Sequence, residues 1–327
     1  MEILVISGLS GAGKSCAASC LEDIGYYTVD NMPAAIIPKF AEFSAESDGR
    51  YDRVALVNDI RGGVDSFHEL LEVIDRLREG GTAVLCGDEP LLWDKRDSLG
   101  CKVCTYGVEN EACDLVAQLR EDGSFTVKNN GLESETLPIG ESFTARLAIP
   151  GAHNVLNALA AASVGLLMGE TVENIVRGLS SYTASGMRQN IYEQNGFRIY
   201  ADCYNASPDA MEATLRVLGT LGEGGRRIAV LGSMLELGDY TEEGHRRAGR
   251  AAAEFADALY AYGPSADAIA RGAKEKGMTA VHAFDDQNEL VRALRADAKP
   301  GDALLFKGSR GMRMERALAM FLGEEVE

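Results

Sequence analysis

The chain has 327 residues, of which 46% are hydrophobic and 25% are charged, and its formal net charge is −18 at pH 7. This length allows two domains and part of a third, and the composition is typical of a globular protein. The negative charge argues against broad binding to DNA or RNA, because phosphate contacts require clustered lysine and arginine.

The composition also indicates a compartment. Glu2 follows Met1 with no basic segment before the first apolar run, so we expect no secretory leader. The longest weakly polar run, residues 155–169, is too short to span a bilayer. Seven cysteines, an odd number, fit a reducing environment better than a disulfide framework. We therefore expect a cytoplasmic protein that has no membrane association.

Residues 8–15 fit the phosphate-binding pattern G-x-x-x-x-G-K-[ST]. The apolar run 3–6 predicts a buried strand ahead of the motif, and residues 14–21 predict a helix after it. The alternative is a glycine-rich turn that binds nothing. In a phosphate loop, backbone N–H groups surround a phosphate, the lysine neutralises the outer phosphates and the last hydroxyl holds Mg²⁺. The pattern predicts an ATP site, with Ser15 as the Mg²⁺ ligand, formed by Gly8, Leu9, Ser10, Gly11, Ala12, Gly13, Lys14 and Ser15.

Two further strands are predicted in the first segment, at residues 26–29 and 54–57, and residues 67–78 have the periodicity of an amphipathic helix. Asp30 and Asp59 follow the two strands, at the carboxyl edge where open α/β sheets bind ligands. Either carboxylate has two interpretations: it binds Mg²⁺ or orients an attacking group, or it caps the next turn.

This first segment resembles the RNase adapter RapZ family of P-loop nucleotide-binding proteins. The resemblance is carried by residues 8–15, 21–27, 29–33, 51–56 and 59–62, and it ends near Gly80. It implies that the phosphate loop binds ATP and that a guanine nucleotide, GTP, contacts the second motif, which comprises Asp59, Ile60, Arg61 and Gly62.

From Gly81 the pattern changes to strands at residues 81–85 and 102–106 and to small antiparallel strands at 125–127 and 143–147, separated by Asn129-Asn130-Gly131. Cys101 and Cys104 have the spacing of a zinc ligand pair, but the alternation there is typical of a strand and no second pair follows. We therefore expect structural thiols at these positions.

Residues 150–162 are predicted to open a long helix that ends at Gly169. His153, Asn154 and Asn157 lie in its first turns, with the two asparagines three residues apart and hence on one face. These polar side chains either contact a bound base or phosphate, or serve as an N-cap and a solvated histidine.

The last segment alternates strands with helices, which is typical of a doubly wound parallel sheet. Helices are predicted at 209–218, 242–255, 266–276, 287–294 and from 312, between strands at 197–200, 227–231, 258–262, 280–283 and 303–306. The functional loops should follow the strands, at residues 202–205, 233–236 and 307–310.

From Gly81 to about Leu322 the chain resembles the Mur ligases, and among them those that add D-alanyl-D-alanine to UDP-N-acetylmuramoyl-tripeptide. The resemblance is carried by residues 150–161, 202–206, 231–238 and 307–315. Ser207 and Ser233 depart from it, since the family usually has Asn and Asp there.

The resemblance implies an ATP-dependent ligase of peptidoglycan synthesis that acts through an acyl phosphate. It implies that Asn157, with its neighbours His153 and Asn154, contacts the nucleotide and that Arg188 and Asp202 reach the nucleotide from the C-terminal domain. The loop that starts at Lys307 would face the incoming peptide, with substrate contacts from Tyr204, Asn205, Ser309 and Arg310. Lys14, Arg188, Asp202 and Lys307 are the candidate catalytic residues.

The expected architecture is α/β: a P-loop-type parallel sheet unit at residues 1–80, a Mur ligase central-domain remnant at 81–186, and a doubly wound, Rossmann-like C-terminal domain at 187–327. The RapZ-like segment would stand where the family has its uridine-nucleotide domain and its own phosphate loop. The predicted helix over residues 65–79 contains no lysine, whereas the family carries a carbamoylated lysine there.

Three functions follow. The first is an ATP-dependent ligase, impaired because those parts are replaced. The second is a RapZ-like regulator that binds ATP or GTP without forming amides. The third is a hybrid whose two halves share no site.

Overall fold

The computed structural model describes residues 2–8, 22, 25–30, 36, 39–40, 53–59, 82–182, 188–222 and 224–324. The chain forms two compact units, of which unit 1 comprises Met1–Ala148 and Ala152–Tyr182 and unit 2 comprises Ile149–Gly151 and Thr183–Glu327. In the described residues no helix is both long and apolar enough to cross a membrane.

Unit 1 begins with a three-stranded parallel sheet. Its strands are β1 (Glu2–Gly8), β2 (Tyr27–Asp30) and β3 (Arg53–Asp59), in the spatial order β1-β3-β2. The three predicted strands are therefore confirmed, each with a shift of one or two residues at its ends. The helices predicted at 14–21 and 67–78 lie outside the described residues.

Unit 1 also contains a mixed five-stranded sheet. In spatial order, the strands are β4 (Thr82–Cys86), β5 (Lys102–Gly107), β6 (Leu115–Leu119), β7 (Ser124–Asn129) and β8 (Ser142–Arg146). Adjacent strands are parallel from β4 to β6 and antiparallel from β6 to β8, and helix α1 (Pro90–Lys95) follows β4.

The predicted antiparallel pair β7–β8 is confirmed, and the predicted separating segment, Asn129-Asn130-Gly131, begins at the last residue of β7. The connection runs from residue 130 to 141, and the buried Asn129 amide donates to the carbonyls of Leu132 at 2.8 Å and Leu137 at 2.7 Å. The asparagine thus organises a long loop from inside, because a buried side-chain amide must find acceptors.

Two helices cover the five-stranded sheet. Helix α2 (Ala152–Leu167) packs against β4, β5 and β6, and helix α3 (Val172–Ser181) packs against β8. Thr171 caps α3 by accepting from the N–H of Asn174 at 3.2 Å. The long helix was predicted from the sequence, whereas α3 was not, although Val172, Ile175, Val176 and Leu179 have helical spacing.

Unit 2 is built on a six-stranded sheet. The strands are β9 (Asn190–Gln194), β10 (Phe197–Asp202), β11 (Arg227–Gly232), β12 (Ala258–Tyr262), β13 (Val281–Phe284) and β14 (Ala303–Lys307). Their spatial order is β13-β12-β11-β14-β10-β9, and all are parallel except the edge strand β9. The helices are α4 (Pro208–Thr220), α5 (Thr241–Phe255), α6 (Ala266–Glu275), α7 (Gln287–Asp297) and α8 (Met314–Leu322).

Helices cover both faces of this sheet, so alternate residues of one strand enter two separate cores. Ala303 and Leu305 of β14 pack in the cluster that includes residues of α4, α5 and α6, whereas Leu304 and Phe306 pack with residues of α7 and α8. Burial on both faces explains why the central strands are continuous apolar runs in the sequence. The predicted doubly wound sheet is confirmed.

Candidate functional site

The carboxyl ends of three neighbouring strands of unit 2 place the predicted loops side by side. Lys307 at the end of β14 is in register with Asp202 on β10 and with Leu231 on β11. The loops that follow these strands are therefore adjacent, at the edge where doubly wound sheets bind ligands.

Asp202 and Lys307 form a buried ion pair at this edge. The Lys307 Nζ donates to Asp202 Oδ2 and, at 3.1 Å, to the carbonyl of Asn205. The carboxylate also accepts from Thr214 Oγ1 at 3.3 Å and from the backbone N–H of Gln189 at 3.3 Å. Since the lysine charge is paired and 3% of its side chain is exposed, its contacts fix Asp202 and the loop that begins at residue 203.

Arg188 lies on the aromatic ring of Tyr204. The guanidinium carbon is 3.8 Å from the ring centroid, and 43% of Tyr204 is exposed. Stacking on an aromatic ring orients the planar guanidinium, a group whose geometry suits phosphates and carboxylates. Tyr204 and Asn205 lie two and three residues after Asp202, so the structure brings together five of the predicted site residues of unit 2: Arg188, Asp202, Tyr204, Asn205 and Lys307.

The loops after β11 and β14 approach each other closely. A Cβ on Gly308 would lie 3.0 Å from the Cα of Gly232 and 2.8 Å from Cγ of Met314, which leaves no room for a side chain. Beyond these glycines, Ser309 N–H donates to the carbonyl of Ser233 at 3.2 Å, and Ser309 Oγ accepts from the N–H of Leu235 at 2.9 Å.

These contacts assign Ser309 and Arg310 different surroundings. Ser309 is 4% exposed and joins the two loops, whereas the neighbouring Arg310 is exposed and pairs with Glu315 at 3.1 Å. The proposed substrate contacts of both residues stay predictions.

In unit 1, His153, Asn154 and Asn157 lie in the first two turns of α2 and are half-buried. Because α2 begins at Ala152, Asn154 is inside the helix rather than at its N-cap. An asparagine amide in this position offers donors and acceptors suited to a base edge or phosphate.

The phosphate loop can be located only by its first residue. Gly8 ends β1 in register with Asp59 at the end of β3, so the backbones of the two predicted nucleotide motifs meet at one sheet edge. Leu9, Ser10, Gly11, Ala12, Gly13, Lys14 and Ser15 lie outside the described residues, as do Ile60, Arg61 and Gly62.

Cys104 lies on β5 within the hydrophobic cluster of unit 1 and is 1% exposed. Burial raises the pKa of its thiol to about 12, which disfavours the thiolate that a metal requires. Across the parts of the chain that the structure describes, no group of three or more His, Cys, Asp or Glu is placed to hold a metal.

Three contributors to the unit 2 site were not predicted: Gln189 and Thr214, which bind the Asp202 carboxylate, and His245, which accepts from the N–H of Met234 at 2.8 Å. The only sequence feature that could have indicated Gln189 as a site residue is its position next to Arg188. Thr214 and His245 lie within helices, and nothing in their sequence spacing indicates those partners.

Three family models match the chain. They are described as RapZ-like N-terminal domain, over residues 1–83, Mur ligase middle domain, over 66–165, and Mur ligase, glutamate ligase domain, over 187–310. The first two matches overlap at residues 66–83.

Curated relatives agree with both parts. The UDP-N-acetylmuramoyl-tripeptide–D-alanyl-D-alanine ligase of Bacillus subtilis (strain 168) is 36% identical over 291 residues, covering 87% of this chain and 58% of the relative. A nucleotide-binding protein of Desulforamulus reducens is 53% identical over 80 residues, covering 24% of this chain and 26% of the relative. The chain thus spans little more than half of the ligase and about a quarter of the nucleotide-binding protein.

Solved structures show the same fold. MurF from Acinetobacter baumannii matches with a TM-score of 0.75 and 22% identity, over 99% of this chain and 77% of that chain. MurF ligase from Thermotoga maritima, in complex with ADP, matches with a TM-score of 0.74 and 23% identity, over 99% of this chain and 80% of that chain. This chain therefore contains a Mur ligase middle domain, matched over residues 66–165, a Mur ligase, glutamate ligase domain, matched over 187–310, and a RapZ-like N-terminal domain, matched over 1–83.

Proposed function

We propose that the chain is an ATP-dependent ligase of peptidoglycan precursor synthesis that joins D-alanyl-D-alanine to UDP-N-acetylmuramoyl-tripeptide. The observation that carries the proposal is the buried Asp202–Lys307 pair at the carboxyl edge of unit 2, beside Arg188, Tyr204 and the linked loops. The identity to the Bacillus ligase supports the same chemistry. Its nucleotide-linked substrate makes the cytoplasm the proposed compartment.

In the proposed reaction, ATP is a co-substrate that phosphorylates the tripeptide carboxylate, and the amine of the dipeptide attacks the acyl phosphate. Lys14 is proposed to neutralise the phosphates, and Asn157, with His153 and Asn154, to bind the adenosine part of ATP. Donors aimed at the transferring phosphoryl group lower the barrier most when they are held rigidly, as Arg188 is by the ring of Tyr204.

The proposed scheme includes Mg²⁺ at the sheet edge where β1 and β3 end. The last residues of β1 and β3, Gly8 and Asp59, are in register, so their backbones are adjacent. This arrangement suits a site for phosphate and Mg²⁺ at that edge of the sheet. The proposed ligand is the Ser15 hydroxyl, and the ion would neutralise phosphate charge.

On the acceptor side, we propose that Tyr204, Asn205, Ser309 and Arg310 contact the dipeptide. Arg310 is exposed and carries the positive charge that a C-terminal carboxylate requires. Lys307 would act through Asp202 and the 203–207 loop. The three segments 1–80, 81–186 and 187–327 are proposed as the functional divisions of the chain.

A second candidate is a RapZ-like regulatory protein that binds ATP or GTP and forms no amide. The RapZ-like model over residues 1–83 and the register of Gly8 with Asp59 favour it. It predicts nucleotide binding that is independent of the residues of unit 2.

The test is an assay of the full chain with ATP, UDP-N-acetylmuramoyl-tripeptide and D-alanyl-D-alanine, in which phosphate release and the pentapeptide product are both followed. Pentapeptide formation supports the ligase. Nucleotide binding with no product, and a preference for GTP over ATP, supports the second candidate and overturns the first.

Lys14→Ala is the matched variant for the phosphate loop. The ligase proposal expects it to abolish product formation, because an uncompensated phosphate charge weakens both binding and transfer. Ligation that survives this substitution would remove the phosphate loop from the mechanism while leaving the reaction itself established.

A further inference from the structure

His245 is a fully buried histidine on α5 that the proposed chemistry does not use. It is 0% exposed and lies eleven residues after Met234, the residue in the loop after β11 to which it is bonded. A buried imidazole has to satisfy both ring nitrogens, so its partners show which proton it carries.

The partners of His245 specify one tautomer. Its Nδ1 lies 2.6 Å from the carbonyl of Thr241, which only accepts, so Nδ1 carries the hydrogen. Its Nε2 lies 2.8 Å from the N–H of Met234, which only donates, so Nε2 is the acceptor. The ring is therefore neutral, in agreement with the burial that lowers its pKa.

The bond belongs to a set that fixes three consecutive amides of the loop. Ser233 N–H donates to Tyr262 O at 3.0 Å, Met234 N–H to His245, and Leu235 N–H to Ser309 Oγ at 2.9 Å. The next residue, Glu236, has φ = 67°, a left-handed backbone conformation that residues other than glycine rarely adopt. Three fixed amides in succession explain how this strained residue is held.

We propose that His245 is a positioning residue of the site: its Nε2 holds the backbone of Met234 and thereby sets the direction in which Leu235 and Glu236 leave the sheet edge. Met234 is 2% exposed, so no solvent molecule replaces a lost acceptor without rearrangement of the loop. Both Leu235 and Glu236 are exposed, and Leu235 Cδ1 lies 2.8 Å from the position of a Cβ on Gly311. The consequence for the reaction rests on the proposed function, whereas the backbone geometry does not.

The decisive comparison is His245→Gln with His245→Leu. The two side chains have similar volume, but only glutamine can present an acceptor near the position of Nε2. Val291→Ala, a core substitution on α7 away from the loop, controls for lost stability in unit 2.

The readout is the rate of hydrogen exchange of the Met234 amide, measured by NMR after selective ¹⁵N-methionine labelling. The chain has ten methionines, so the spectrum contains few signals. A Met234→Leu spectrum assigns the signal. We expect exchange in His245→Leu to be at least about tenfold faster than in the parent, and exchange in His245→Gln to stay within about threefold. Parent-like exchange in the leucine variant, or equally fast exchange in both variants, would overturn the proposal.

A second measurement is available if the leucine variant does not fold. The chain has four histidines, so selective ¹⁵N-histidine labelling of the parent gives few ring signals. A neutral Nδ1–H ring at His245 supports the proposal, and a charged or Nε2–H ring at neutral pH contradicts it.

Kinetics then connect the loop to the proposed reaction. We expect His245→Leu to raise KM for D-alanyl-D-alanine by at least about fivefold with KM for ATP little changed, and glutamine to restore it. A parent chain that exchanges as expected but makes no product refutes the proposed function and leaves the positioning role of His245 supported. Equal kinetics in both variants, with an active parent, would refute that role in the reaction.

Discussion

Lys307 and Asp202 form an ion pair in which 3% of the lysine side chain and 9% of the aspartate side chain are exposed. Each belongs to a different strand of the same parallel sheet, and register places them side by side. Two charges at this depth stabilise the fold only as a pair, because either charge alone would be buried with neither solvent nor an opposite charge to compensate it.

Replacing the lysine should therefore destabilise unit 2 strongly. We expect Lys307→Met to lower the free energy of unfolding by about 3–5 kcal/mol, since Asp202 stays buried without its cation. Urea denaturation followed by fluorescence or circular dichroism measures the change. Arg271→Met, which breaks an exposed pair with Glu242, should change stability by less than about 1 kcal/mol. Similar losses in both variants would contradict a special contribution of the buried pair.

Replacing glycine by alanine should have opposite effects on stability at two positions. Gly308→Ala should destabilise by about 1–3 kcal/mol, because its Cβ would meet the backbone of Gly232 at 3.0 Å. Gly178→Ala, inside α3 and with nothing within 4 Å of its Cβ, should stabilise by about 0.5–1 kcal/mol. Thermal denaturation distinguishes the two, and a stabilising Gly308→Ala would show that the loops are not in close contact.

If Arg188 contacts ATP as proposed, its stacking on Tyr204 predicts that substitutions of Tyr204 change the affinity for ATP to different degrees. We expect Tyr204→Phe to keep the affinity, because the ring remains, and Tyr204→Ala to weaken ATP binding about two- to fivefold through loss of the stacked guanidinium. Isothermal titration of ATP provides the measurement. Unchanged affinity in the alanine variant would separate this stacking from nucleotide binding.

A network around Arg226 should make the fold sensitive to acid. Arg226 donates to Asp302 at 2.9 Å and to Asp297 at 3.1 Å. Burial raises the pKa of Asp302, but hydrogen bonds from Lys299 N–H and Arg226 outweigh it and hold the pKa below its ordinary value of 3.8. The pKa of Asp297 is lowered as well, because hydrogen bonds from Tyr260 and Arg226 outweigh its burial.

A carboxyl group whose pKa is lowered by folding contributes stability that is complete above the pKa of the unfolded chain and is lost as the pH falls through the folded value. We therefore expect stability to decline below about pH 4, and Asp302→Asn to remove part of that decline. At pH 7 the variant should be less stable by about 1.5–3 kcal/mol. Parallel pH profiles for parent and variant would contradict this assignment. Urea midpoints between pH 2.5 and 7 provide the profile, given an ordinary aspartate pKa of 3.8.

The sequence predicted the elements that physical patterning specifies strongly. The predicted strand at residues 258–262 matches β12 residue for residue, and the other central strands of unit 2 were found as buried apolar runs. The three neighbouring loops followed from the same pattern, because parallel strands end at one edge.

Edge elements and long-range partners were harder to predict. Strand β9 was missed because it is short and partly exposed, although Asn195-Gly196 gives a signal for a two-residue hairpin turn, and both residues have positive φ. The bond between His245 and Met234 depends on where α5 packs, which helical periodicity does not specify. The roles of residues 9–15 stay predictions, since they lie outside the described residues.

The antiparallel edge strand β9 gives unit 2 a direction of mechanical weakness. The chain enters the sheet at Asn190, opposite Ala201, and its hairpin partner β10 is followed by the central parallel strands. Tension applied through the segment before Asn190 would break the β9–β10 hydrogen bonds one after another. The first to break would be those near Asn190 and Ala201, and the last those next to the Asn195-Gly196 turn. Pulling experiments should thus detect a low-force step before the parallel core ruptures, and the Arg198–Glu193 ion pair, which joins the two strands of the hairpin, should break during that step.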